Sequence, residues 1–263
     1  MILMSRFFTS AFLVLFIAIS SQMAATTKAS AQEANQSIPN PSEIEKLVRD
    51  YILKNPEIIV EALQIFEERQ QSAFHEQQKV LIDNNKDLLV SSKHQAVFGN
   101  PDGDVTLIEF FDYNCHFCRD SLENVQRLID EDKNLKVVLK EFPVLGPQSQ
   151  EAARVAIAAA KIDAEKYLKL HVELLKARGQ ADERTALALA KKLDYDMDAL
   201  QDMMAKPVIE EAINEVYGLA NVLGLTGTPT FIIGNDVMPG AVGHAVLREK
   251  LDSMRKCGQT TCS

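Results

Sequence analysis

The chain has 263 residues, 46% of them hydrophobic, and a formal net charge of −9 from 28 Lys and Arg against 37 Asp and Glu. An acidic balance disfavours nucleic acid and anionic membrane surfaces as partners, since neither is neutralised by it. The length suffices for one well-packed domain with an accessory segment, or for two small domains.

The first stretch carries a cation at Arg6, an apolar run from Ala11 to Ile19, and small residues ending in Ala29-Ser30-Ala31. This pattern predicts a secretory signal peptide over residues 1–31, cleaved near Ala31. A membrane anchor is the competing reading, but the apolar run falls short of the roughly 20 residues a span needs. Removing Arg6 and Lys28 with no acid leaves the mature chain more acidic still. Export also places the four cysteines in an oxidising compartment, where a Cys-x-x-Cys reads as a redox pair before it reads as a reduced zinc clamp.

Residues 32–98 are expected to form an N-terminal helical extension. Gln32 to Pro41 is polar and proline-containing, which predicts a flexible start. Ser42 stands three residues before Glu45 at capping-box spacing, and Ile44, Leu47, Val48, Tyr51 and Ile52 follow at helical intervals. Asn55-Pro56 ends that helix. A longer helical pattern runs from about Glu57 to Leu89, with Ile59, Phe66, Ala73 and Val80 seven residues apart, flanked by Leu63, Phe74 and Leu81. So narrow a seam, diluted by Gln70, Gln71, Gln77 and Gln78, fits an oligomerisation arm, or equally a helix lying on its own domain.

The turn-rich Gly99 to Gly103 marks a boundary, so residues 99–263 are expected as the second domain. Val105 to Phe111 is apolar, branched and aromatic, as a strand buried on both faces should be. A helix follows Cys115 with Cys118, Leu122, Val125 and Ile129 on one face, and Leu135 to Phe142 reads as the next strand. From about residue 149 to 223 the periodicity is helical, with Asp163, Asp182 and Asp196 as N-caps and Pro207 in a first turn. Strand character returns at Thr230 to Ile233 and at Val237-Met238, before a final helix from Gly243 to about Lys256. Strand, helix, strand, helical insertion, two strands and a helix make an α/β layer with a helical lobe.

Cys115-His116-Phe117-Cys118 opens a helix directly after a strand. Backbone N–H groups at a helix N-terminus stabilise a thiolate, and cysteines in such motifs fall to pKa values of about 3.5–7.5. Cys115, at the first turn, is therefore the expected nucleophile, Cys118 the resolving thiol one turn deeper, and His116 a source of positive charge when protonated. An inert structural disulfide is the alternative. Cys257 and Cys262 are close enough in sequence to close a small loop as a structural disulfide, with electron relay to the first pair as the other possibility. His75, His94, His171 and His244 show no metal-ligand spacing with one another and read as surface or satisfied histidines, and Met197, Met203 and Met204 read as core filler.

Phe110 to Cys118, together with Gly227-Thr228-Pro229-Thr230-Phe231, resembles the active site of the DsbA-like branch of the thioredoxin superfamily. The helical N-terminal extension is most similar to the oligomeric ScsC-type and DsbG-like members. The resemblance implies a thioredoxin fold with a helical insertion between the second and third strands and an N-terminal oligomerisation extension. It also implies a cis Thr228-Pro229 peptide facing the dithiol, with Thr228, Pro229 and Phe117 contacting substrate, the other reading of Thr228-Pro229 being a plain turn. Glu109, six residues before Cys115, is either the buried acid that helps proton transfer from the deeper thiol or a solvent-facing edge residue. The implied activity is periplasmic formation or isomerisation of disulfides in exported proteins, as a homo-oligomer reset by a membrane redox partner. No dissociable cofactor and no metal site are expected beyond the Cys115–Cys118 disulfide itself. His116-Phe117 departs from the Pro-His of the best-known oxidase. Because ScsC-type proteins are linked to copper tolerance, Cu(I) binding by the same two thiols is the alternative function.

Overall fold

The computed structural model describes residues 40–262. The expected signal peptide, residues 1–31, and the polar start up to residue 39 lie outside the described residues. The chain divides into two compact units, with the division after Ile59.

In the first unit, α1 spans Pro41–Lys54. Its cap is Asn40, whose Oδ1 accepts from the Ser42 N–H at 3.4 Å, and Pro41 takes the first helical position. The capping box expected from Ser42 and Glu45 therefore starts two residues late: a proline needs no N–H partner there, so the helix begins at it. None of the α1 side chains is buried.

α2 runs Glu57–Asn84 and crosses the division, so most of it belongs to the second unit. It stops at Asn84 rather than near Leu89, because Asn85 leaves helical geometry and its side-chain amide bonds the Leu81 carbonyl at 2.8 Å. A short α3, Lys86–Val90, follows. Ile82 and Leu89 are buried against Ile108, Phe110, Val138 and Leu219, while Lys140 Nζ donates to the Leu88 carbonyl at 2.5 Å and Lys136 Nζ to that of Val90 at 3.0 Å. The end of the expected extension is thus bound into the second unit. Ile59, Leu63, Phe66, Phe74 and Val80 remain exposed.

The sheet has five strands in the order β1-β3-β2-β4-β5: β1 Ala96–Gly99, β2 Val105–Phe111, β3 Leu135–Glu141, β4 Thr230–Ile233 and β5 Asp236–Pro239. Only β2 and β3 are parallel. β1 was not expected: it is a four-residue edge strand with no fully buried position, too short to show alternation. Its pairing with β3 moves the start of the sheet ahead of the boundary expected at residue 99 and places the helical insertion between β3 and β4. Gly99, at φ +81°, ends β1 where a Cβ would lie 2.6 Å from the Leu135 carbonyl oxygen, so only glycine closes this turn.

Alternation along β2 sends Leu107 and Phe111 into one core and Ile108 and Phe110 into the other. The first core holds α4 (His116–Glu131) and α10 (His244–Cys257), the second α9 (Pro207–Leu223) with α2 and α3. Between β3 and α9 lie α5 (Pro147–Ile162), α6 (Ala164–Lys176), α7 (Glu183–Lys192) and α8 (Met197–Met204). Asp163, Asp182 and Asp196 each cap a helix through a side-chain oxygen. Five of the six alanines of α5 are buried, which lets α6, α7 and α8 approach it closely. The fold is a thioredoxin fold with a helical insertion and a helical N-terminal extension.

Candidate active site

Cys115 is the N-cap of α4 and Cys118 lies fully buried one turn in. Both are free thiols. β2 delivers the chain to this point, and Asp112 fixes the turn: its carboxylate accepts from the Asn114 N–H (2.8 Å), the Leu145 N–H (3.0 Å) and the Ser149 hydroxyl (2.8 Å). Asn114 exchanges two hydrogen bonds with the Ala181 backbone, at 2.7 and 2.9 Å. Arg119 donates to the carbonyls of Tyr113, Ala177 and Gly179 at 3.0–3.2 Å. The dithiol loop is thereby tied to the helical insertion by side chains the motif itself does not require.

The Thr228–Pro229 peptide is cis and lies against the dithiol, with the Cys115 thiol donating to the Thr228 carbonyl at 3.1 Å. The Thr228 hydroxyl is buried with no hydrogen-bond partner, and turned toward the sulfur it would help to hold Cys115 ionised.

The electrostatics of the two thiols are opposite. A hydrogen bond from Cys118 lowers Cys115 to about 5 against the cost of burial, helped by the Thr228 side chain and the Cys118 and Phe117 backbone N–H groups. Burial pushes Cys118 far up, as do its bond to Cys115 and the Glu109 charge. Glu109 sits on the central strand β2, 3% exposed and not at a solvent-facing edge. Burial, then the Cys115 charge, raises it to about 8, and its Oε1 has no hydrogen-bond partner. His116 is exposed and points toward Asp120, 3.3 Å away. Phe117 is also exposed, as are Val144 and Leu145.

Cys257 and Cys262 are bonded to each other, at the end of α10. Among the described residues no group of three or more His, Cys, Asp or Glu could hold a metal ion. His171, read as surface or satisfied, is buried beside Tyr113, whose hydroxyl is 3.3 Å from its Nδ1. Asp112, Asn114, Arg119 and Glu141 were not singled out beforehand; the first two stand in the motif, whereas Arg119 and Glu141 look like ordinary surface charges until folded.

A family model described as the DSBA-like thioredoxin domain matches residues 106–252, and one described as the copper resistance protein ScsC N-terminal domain matches residues 42–73. A thioredoxin-like oxidoreductase from Silicibacter pomeroyi DSS-3 is 39% identical with a TM-score of 0.63, covering 66% of this chain and 99% of that one. The thiol-disulfide exchange protein alpha-DsbA2 from Wolbachia pipientis is 30% identical with a TM-score of 0.65, covering 69% of this chain and 98% of that one. Among curated proteins, Na(+)/H(+) antiporter NhaA 1 of Salinispora arenicola (strain CNS-205) is 29% identical over 146 residues, 55% of this chain. The chain spans only 22% of the length of that antiporter. With a thiolate-stabilising helix start facing a cis-proline loop, and a family match over more than half its length, the chain belongs to the DsbA-like thioredoxin family of thiol-disulfide oxidoreductases.

Proposed function

We propose that this protein is a periplasmic thiol:disulfide oxidoreductase that forms or rearranges disulfides in exported proteins through Cys115 and Cys118. The observation that carries this reading is the contrast between the two thiols: Cys115 is an ionised leaving group and nucleophile at neutral pH, while Cys118 is protonated. In the oxidising direction a client thiolate attacks Cys115 of the disulfide, forming a mixed disulfide as Cys118 leaves and takes a proton from Glu109. A second client thiolate then displaces Cys115 as a thiolate, so two electrons pass from client to dithiol. In the reverse direction the Cys115 thiolate attacks a client disulfide, and Cys118 gives its proton to Glu109 as it resolves the adduct. His116, next to Cys115 along the chain, is the motif's candidate source of positive charge for the thiolate. The Thr228-Pro229 backbone and exposed Phe117 offer an extended client a polar edge and an apolar contact. The reaction needs no dissociable cofactor, and a membrane redox partner returns the dithiol to its starting state.

The exposed seam of Ile59, Leu63, Phe66 and Val80 favours a homo-oligomer in which several dithiols face one space, an arrangement suited to isomerisation. Cys118→Ser protein should accumulate client adducts released by a reducing agent, and Cys115→Ser should capture none. A Cys115→Ser protein that still reduced insulin or refolded scrambled ribonuclease would defeat the assignment. Sedimentation of the mature chain beside a Leu63→Gln, Phe66→Gln variant, which keeps α2 but breaks its exposed seam, tests the oligomer. The match of residues 42–73 to a copper resistance protein supports a second reading, Cu(I) held by two soft thiolates. Stoichiometric copper after anaerobic purification, with no exchange activity, would favour it.

A further inference from the structure

Glu141 ends β3 on the same side of the sheet as Glu109: the register pairs Glu109 with Leu139 and Phe111 with Glu141, and Phe111 and Leu139 share the core beneath α4. Strand spacing and rise place the two glutamate Cα atoms about 8 Å apart. Glu141 is 7% exposed, and its Oε1 accepts from the hydroxyls of Tyr113 (2.8 Å) and Tyr167 (3.0 Å). Glu141 and Tyr167 also line a cavity of about 190 Å³. In its walls His94 Nδ1 and Gln95 Oε1 are buried without protein partners, the situation in which internal water is normally found. An acid is not needed to hold two tyrosine hydroxyls, because a glutamine carbonyl accepts equally well. A titratable group there, in a core, therefore suggests a use for its proton.

We propose that Glu141 and Tyr167 form the exit through which the proton exchanged between Glu109 and Cys118 reaches solvent. The inference rests on the reading of Glu109 as the partner of Cys118. When Cys118 leaves a disulfide and takes the Glu109 proton, the Tyr167 hydroxyl passes its proton to Glu109 through a bridging water and receives one from Glu141. Glu141 is then reprotonated from water in the cavity, and the sequence reverses when Cys118 attacks, with no net proton gained or lost by the relay. Tyr167 donates to Glu141 at 3.0 Å, and Glu109, whose Oε1 is buried without a partner, lies on the same face of the sheet, so one bridging water completes the step between them. Burial raises Glu141 to about 8, opposed by the two tyrosine bonds and supported by Asp112, so it exchanges protons near neutrality. His171, on the same cluster, is held by burial at about 3 and stays neutral, so it carries no proton. Lys93, Lys161 and His94 line the cavity as the other groups able to bear charge.

The test uses the full mature chain with glutathione bound to Cys115 as a mixed disulfide. The rate at which Cys118 expels the glutathione is followed from about pH 5.5 to 9 in dilute, poorly penetrating buffer, a window spanning both glutamates. Glu141→Gln should slow release about tenfold at neutral pH, flatten the profile near pH 8, and be restored by added imidazole, which is small enough for the cavity. Tyr167→Phe, which keeps the ring, should show the same slowing, so the result does not rest on one variant folding. A Glu141→Gln profile identical to the parent, or slowing that imidazole leaves untouched, overturns the exit. Parallel Glu109→Gln protein separates the two ideas: slow Glu109→Gln with normal Glu141→Gln removes only the exit, whereas normal Glu109→Gln removes the underlying reading and the exit with it.

Discussion

Replacing Glu109 by Gln should make the reduced protein more stable as it makes the chemistry slower. The folded carboxyl titrates at about 8, against 4.5 in an unconstrained chain. Between those values the folded state holds a proton that the unfolded state has lost, so the group's contribution is fully present below about pH 4.5 and drains away as pH rises toward 8. Each pH unit in this window is worth about 1.4 kcal/mol, so from pH 5 to pH 7.5 the wild-type side chain removes roughly 3 kcal/mol that an uncharged glutamine retains. Cys115 has the opposite sign: it is depressed to about 5, and its contribution grows as pH rises above that. The two partly cancel in the parent, and the variant should lose the Glu109 slope, leaving that of Cys115 superimposed on that of Glu141. Urea unfolding of both proteins in reducing buffer, every half unit across that range, measures the gap directly. Parallel stability curves for the two proteins would show that Glu109 is not held protonated in the folded state. The reasoning would then fail at its first step.

Iodoacetamide should label Cys115 with a half-maximal rate near pH 5 while leaving Cys118 untouched through neutrality, as mass mapping of the labelled peptide would show. Thr228→Val removes the hydroxyl that supports the thiolate and should move that midpoint up by about one pH unit, since a hydrogen bond to a charged group is worth about 1.5–3 kcal/mol. Leu89→Ala empties a position only 1% exposed where α3 meets the sheet, and should cost about 2–5 kcal/mol in denaturant unfolding with the Cys115 midpoint unchanged.

Local periodicity and punctuation carried much of the second unit. β2 and β4 begin and end where branched and aromatic runs do, and the aspartates before α6, α7 and α8 cap them because a short side-chain oxygen next to free N–H groups needs no distant partner. The dithiol was legible for the same reason: its chemistry follows from two sulfurs and a helix start, all within four residues. β1 and the break at Asn85 were not, since four residues show no pattern and an asparagine reveals itself only when its amide meets a carbonyl.

The residue sequence by itself determined the thiols, the helix that carries them, and the order of strands and helices from β2 onward, because each depends on neighbours along the chain. Tertiary structure alone decided what surrounds them. Glu109 is a buried acid and not a solvated one because β2 lies between β3 and β4. Thr228 reaches Cys115 from 113 residues away, and Glu141 meets Tyr113 and Tyr167 from separate elements. Desolvation and hydrogen bonding, the causes of every large shift at this site, exist only once distant segments exclude water from one another.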